Sequence, residues 1–143
     1  AREELKKHTD YLISKVKIVF STISNFVINN RLKDSVFDNL IVDEASMLAE
    51  PQLIALARNV TKRIILVGDF QQLSPITTVG VPILKNSVFK LCEIDINNTD
   101  HPALHQLLNQ RRSNPQLVEI INHSFYANRL NAENNKHTKI III

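Results

Sequence analysis

In Asn39-Leu40-Ile41-Val42-Asp43-Glu44-Ala45-Ser46, four mostly apolar residues run straight into two adjacent carboxylates. A short apolar run bounded by polar residues reads as a buried strand. A strand that ends in Asp-Glu can hold a magnesium ion and a general base at a sheet edge. A second stretch repeats the layout: Ile64-Ile65-Leu66-Val67-Gly68-Asp69-Phe70-Gln71-Gln72. Between them, Glu50-Pro51 opens a helix to about Arg58, because proline suits the first turn. Strand, helix, strand at this spacing predicts a βαβ crossover and a parallel sheet. The near-continuous apolar strands predict cover on both faces.

The rest of the chain extends this pattern. Residues 2–15 carry helix formers with Leu5, Leu12 and Ile13 on one side. Lys17 to Thr22 reads as a further buried strand ending in two hydroxyls. Asn29-Asn30-Arg31 marks a turn. Residues 39–43 and 63–68 are strands, and Ser74-Pro75 closes the segment after the second. Ile83 to Leu91 reads as a short helix, Cys92 to Ile96 as a fourth strand, and residues 97–100 as a loop. Ala103 to Asn109 fits either strand or helix. Pro115 begins a helix to about Tyr126, and residues 131–138 are loop-like. Ligands of parallel α/β sheets bind at the carboxyl ends of the strands. Ser21-Thr22, Asp43-Glu44 and Gly68-Asp69 with Gln71-Gln72 are therefore predicted to converge on one edge.

Each cluster has a chemical and a plainer reading. Asp43 suits magnesium, and Glu44 suits proton abstraction from a water; the two acids also suit capping of the next helix. Gly68 permits close backbone approach. A glutamine can donate to a phosphate oxygen and accept from a water, or simply be solvated. In Gln110-Arg111-Arg112-Ser113-Asn114-Pro115, an arginine could place a permanent planar charge on a phosphate, or the pair could form a solvated basic turn. His101 and His105 stand four apart, but Pro102 and the lack of a third ligand argue against zinc.

Composition narrows the classes. The chain has 143 residues, which suits one domain. Its only glycines are Gly68 and Gly80, and no Gly-x-x-x-x-Gly-Lys-Ser/Thr phosphate loop is present. Cys92 is the single cysteine, which excludes an intrachain disulfide and a cysteine zinc site. That fits a reducing intracellular location, cytoplasmic or nuclear. No apolar run reaches the roughly 18 residues of a membrane span. The formal charge of +3 and a pI near 9.1 permit nucleic-acid contact without requiring it. The run Ile140 to Ile143 reads as a strand cut short, so the chain is expected to be a fragment.

Taken together, and in this order, the motifs resemble superfamily 1 helicases, in the branch of the nonsense-mediated-decay RNA helicase and senataxin. The stretches concerned are Val19-Phe20-Ser21-Thr22, Ile41 to Ser46 with Glu50-Pro51, Leu66-Val67-Gly68-Asp69-Phe70-Gln71-Gln72-Leu73-Ser74-Pro75, and Gln110 to Pro115 continuing to Phe125-Tyr126-Ala127-Asn128-Arg129-Leu130. The resemblance covers about residues 17–130. It implies a RecA-like P-loop NTPase sheet with flanking helices, lacking the phosphate-loop strand. Residues 1–143 would be the C-terminal two-thirds of a first motor domain, and 139–143 the start of a connection to the second.

The resemblance implies ATP and Mg²⁺ as cofactors. Asp43 would bind the metal, and Glu44 would be the catalytic base. Gln72 would sense the γ-phosphate, and Arg112 would contact it from the far side. Gly68, Asp69, Gln110 and Arg111 would line the nucleotide. Ser21, Thr22 and Pro75 would touch single-stranded RNA or DNA. Three positions depart from the pattern: Met47 replaces a glutamine, Arg111 a tyrosine, and Ser113-Asn114 a Met-His pair.

The partners implied are an upstream phosphate-loop segment, a downstream second motor domain and single-stranded nucleic acid, with no membrane. Without a phosphate-loop strand in mid-sheet, the third-motif strand and the strand before Gln110 are expected either to pair directly or to leave an opening for self-association. The isolated chain is expected to be inactive. Two other classes fit parts of the pattern: a magnesium-dependent phosphoesterase or nuclease using Asp43, Glu44 and Asp69, and a non-catalytic nucleic-acid-binding module.

Overall fold

A computed structural model describes residues 2–133. The expected connection at 139–143 lies outside them. The fold is mixed α/β, with parallel strands in two small sheets. Helix α1 (Arg2–Lys15) leads into an irregular segment, then α2 (Ile23–Ile28) and α3 (Asn30–Lys33). Strand β1 (Phe37–Val42), a 3₁₀ turn (Ala45–Met47), α4 (Glu50–Ala57) and β2 (Val60–Leu66) form the βαβ unit. Short helices α5 (Pro82–Lys85) and α6 (Val88–Leu91) come next. Strand β3 (Asn109–Gln110), α7 (Pro115–Phe125) and β4 (Asn131–Ala132) form a second crossover.

The β1–β2 pair is parallel, with Leu40 opposite Ile64 and Val42 opposite Leu66. Along β1 the side chains alternate, as a strand requires. Leu40 and Val42 turn inward, while Ile41 is 66% exposed. The core joins Val42, Ala45, Leu48, Leu56, Val88 and Phe89 under the strand ends and α4. Helix α4 starts where expected: the Gln52 side chain accepts from the Ala49 N–H at 2.9 Å, half of a capping box. Across the pair, Lys62 Nζ donates to Asp38 Oδ2 at 2.7 Å, and the lysine holds that carboxyl below its ordinary range.

Several expectations are corrected. The described residues cover only part of one face of β1–β2: Ile41 and Ile65 on the other face are exposed, and so is Ile64, opposite Leu40 on the inward face. Residues 17–22 form no strand. Their apolar pattern is right, but no neighbour completes a ladder, and Phe20 is 94% exposed. Residues 92–96 form no strand either. Glu93 turns to φ 57°, and Asp95 Oδ1 accepts from the N–H groups of Asn97 and Asn98, so turn chemistry prevails. The helix expected over 83–91 is split at Asn86-Ser87, where the Ser87 hydroxyl caps α6. Strands β2 and β3 lie in separate sheets, so of the two expected outcomes direct pairing is absent among the described residues. Among the described residues, no helix is long and apolar enough to cross a membrane.

Candidate nucleotide site

The site begins with the backbone between two strand ends. Past β2, the Val67 N–H donates to the Val42 carbonyl, and the Val67 carbonyl accepts from the Ala45 N–H, both at 2.8 Å. These two bonds lock the turn after β1 against the turn after β2. Asp43-Glu44 and Gly68-Asp69 therefore leave the sheet side by side, as the sequence predicted. The close approach expected at Gly68 is to the chain's own backbone, at Ala45 and Ser46. Glu44 takes the left-handed conformation, φ 53° and ψ 41°, which swings the chain into the 3₁₀ turn. Its N–H donates to Asp43 Oδ1 at 3.0 Å. Both acids are exposed.

Asp69 does something different from Asp43. Its Oδ1 accepts from the Gln71 N–H at 2.9 Å. Its Oδ2 accepts from Gln72 Nε2 at 3.1 Å and from the Tyr126 hydroxyl at 2.5 Å. Gln71 Nε2 donates to the Phe125 carbonyl at 2.5 Å. The glutamine motif is thus tied to the end of α7. Burial, then the Asp69 hydrogen bond and charge, push the Tyr126 hydroxyl up to about 12, against a Gln72 hydrogen bond that lowers it. Tyr126 lies in a stretch that carried the resemblance, but nothing in its local pattern marks it as a partner of Asp69.

The arginine stretch is held elsewhere. Arg111 forms a two-pronged pair with Glu133, at 2.9 and 3.1 Å. Gln110 Oε1 accepts from the Arg112 N–H at 2.8 Å, and the Arg112 side chain is exposed. These residues precede α7, whereas the Asp69 contact lies beyond its last turn. Eleven helical residues separate the two ends, a span of about 16 Å. Arg112 is not brought against Asp43, Glu44 or Gln72 in this state.

Ser21 and Thr22 are not at a strand end, so the predicted convergence of three clusters reduces to two. Thr22 Oγ1 accepts from the Asn25 N–H as the cap of α2, and Ser21 Oγ accepts from Asn25 Nδ2. Pro75 is half-buried between exposed stretches at Leu73 and Ile76. A cleft of about 740 Å³ opens at the other end of β1, lined by Asp10, Lys17, Arg31 and Asp38 among others. Asp38 lies five residues before Asp43, about 16 Å along a strand, so this cleft is separate from the acid pair.

The donor set can be tested against the implied metal. Among the described residues, no three His, Cys, Asp or Glu side chains group as metal ligands. Asp69 is committed to Tyr126, Gln71 and Gln72, which removes it from a set with Asp43 and Glu44. A lone exposed carboxylate at a strand end does fit magnesium, which keeps several waters and takes its remaining oxygens from phosphates.

The AAA domain family matches residues 1–79. The chain is 32% identical over 142 residues to the DNA replication ATP-dependent helicase/nuclease of Saccharomyces cerevisiae, covering 92% of this chain and 9% of that protein. It is 26% identical over 133 residues to an ATP-dependent helicase of Methanocaldococcus jannaschii, covering 92% of this chain and 19% of the relative. It is 29% identical over 103 residues to regulator of nonsense transcripts 1 of Dictyostelium discoideum, covering 72% and 8%. The chain therefore spans less than a fifth of the length of each of these relatives.

Proposed function

The chain belongs to the AAA domain family, in the superfamily 1 helicase branch that includes regulators of nonsense transcripts, and from that premise we propose that it is the water-activating part of an ATP-dependent helicase or translocase on single-stranded RNA or DNA. The observation that carries this reading is the joining of the Asp43-Glu44 and Gly68-Gln72 turns by the two Val67 backbone bonds. An acid pair and a glutamine pair emerge together from adjacent parallel strands, where such sheets bind their ligands.

In this reading Asp43 would hold the Mg²⁺ that arrives with ATP, and the ion would supply positive charge against the phosphates. The Glu44 carboxylate accepts a proton from the attacking water. Its exposed position at the strand end leaves room for one. Gln72 orients that water or the terminal phosphate through its side-chain amide. Gly68 and Asp69 shape the nucleotide edge. Arg112 supplies a guanidinium to the γ-phosphate after α7 and the strand ends close on it. Gln110 holds the Arg112 backbone, and Arg111 must leave Glu133 before it reaches a nucleotide. Ser21, Thr22 and Pro75 form the nucleic-acid contacts. The edges of β1 and β2 that stay unpaired among the described residues accept a further strand, from the same protein or from a second copy.

The nuclease reading loses its third ligand to Tyr126, and what favours it is the name of the Saccharomyces cerevisiae relative, a helicase/nuclease of which this chain covers 9%. The deciding experiment uses the protein that contains this chain. Its ATP hydrolysis should be stimulated by single-stranded nucleic acid and abolished by Glu44→Gln. Metal-dependent strand cleavage without ATP would support the nuclease instead. Salt-dependent strand binding indifferent to nucleotide would support a binding module.

A further inference from the structure

Among the described residues, Asp69 bonds to both glutamines and to the end of α7. Gln72 lies in an exposed loop, and a free glutamine there would sample many rotamers. Here its amide is pinned to Asp69 Oδ2. The same oxygen receives the Tyr126 hydroxyl at 2.5 Å, a hydrogen bond to an ionised acceptor and so a strong one. One residue earlier on each side, Gln71 Nε2 reaches the Phe125 carbonyl. Gln71 is thus held by the helix end directly, and Gln72 through Asp69, which Tyr126 holds.

Tyr126 is itself fixed from behind. Ala127 and Asn128 turn left-handed, with φ 49° and 61°, and end the helix. The Asn122 side chain then clasps Leu130, accepting from its N–H at 2.8 Å and donating to its carbonyl at 2.9 Å. The turn that presents the phenol is therefore closed on both sides.

Resting on the ATPase reading above, we propose that Tyr126 is a positioning residue, whose hydroxyl fixes Asp69 and through it the Gln72 amide in the orientation that hydrolysis uses. The phenol reaches no substrate. It limits where the amide points. Because α7 also carries Arg112 ahead of its first turn, the glutamine loop and the arginine turn are the two ends of one rod of about 16 Å. A shift of Gln72 on binding or losing a phosphate is passed along that rod.

The test is steady-state ATP hydrolysis by the full-length protein with saturating single strands, for wild type, Tyr126→Phe, Gln72→Ala and the double variant. Tyr126→Phe keeps the ring and loses only the hydroxyl. It should lower kcat about tenfold, the size of one lost charge-assisted bond, with KM for ATP within about twofold. The double variant should be no slower than Gln72→Ala, because the hydroxyl acts through that amide. Unchanged kcat in Tyr126→Phe overturns the proposal. So do losses that multiply in the double variant, or a KM change that accounts for the whole effect. A variant whose thermal midpoint falls is read against Asp69→Asn. This second variant keeps the side chain's shape and removes the charge that the phenol donates to, and it should reproduce the kcat loss. A wild-type protein without ATPase activity overturns the functional reading itself, and this proposal with it.

Discussion

A methyl group on Gly68 would stand 2.9 Å from the Ala45 backbone nitrogen and 3.1 Å from that of Ser46. These are main-chain atoms held by the Val67 bonds, so they cannot rotate aside as a side chain would. Gly68 is needed here for space, not for an unusual backbone angle, since no glycine has positive φ. Gly68→Ala should destabilise the protein by about 1–3 kcal/mol, the range for overpacking a fixed site. The same push moves the acid turn, so ATP turnover should fall more than stability alone predicts. Thermal denaturation and turnover measured together check this; an unchanged midpoint would contradict the packing argument.

Glu44 carries a backbone cost that the proposed role of catalytic base would explain. A non-glycine residue at φ 53° is disfavoured by about 1–2 kcal/mol, and asparagine tolerates that region better. Among the described residues, no hydrogen bond to the Glu44 side chain offsets the cost. Glu44→Asn should therefore raise stability by about 0.5–1 kcal/mol while lowering turnover at least about a hundredfold through loss of the base. Opposite signs in the two measurements are the expected signature. A fall in both would mean that the glutamate has a structural partner.

Ser46 is 2% exposed, and its Oγ has no hydrogen-bond partner among the described residues. An unpaired buried hydroxyl costs free energy that an alanine does not. Ser46→Ala should be neutral or stabilising by about 1 kcal/mol in chemical denaturation. A clear loss of stability would reveal a partner for that oxygen, in the nucleotide-bound state or elsewhere in the protein.

The βαβ unit and the helices headed by Pro51 and Pro115 were legible because apolar runs and proline act locally. The acid pair and Gly68 fell together as expected, since strand ends of a parallel pair must lie on one edge. Residues 17–22 misled for a physical reason: Ile18-Val19-Phe20 has strand composition, but a strand exists only where a neighbour completes its ladder. Asp95 took the next expected strand away by binding the backbone of Asn97 and Asn98. Tyr126 was hidden differently. Its helix was readable, but its partner Asp69 lies 57 residues away, and no local pattern tells where a helix end will land.

Tyr126 also makes stability depend on pH at the alkaline end. Its hydroxyl must be protonated to donate to the Asp69 carboxylate, and in the folded chain its pKa is raised from 10.0 to about 12. A raised folded value means that the folded state holds the proton more tightly than the unfolded one. The stabilisation is therefore fully present below pH 10 and lost as pH rises toward 12. The difference between wild-type and Tyr126→Phe tyrosinate absorbance should titrate near 12. Wild-type stability should fall more steeply than that of Tyr126→Phe as pH rises above 10. Parallel stability curves, or a difference spectrum titrating near the ordinary value of 10.0, would mean that the phenol is not held against Asp69 in solution.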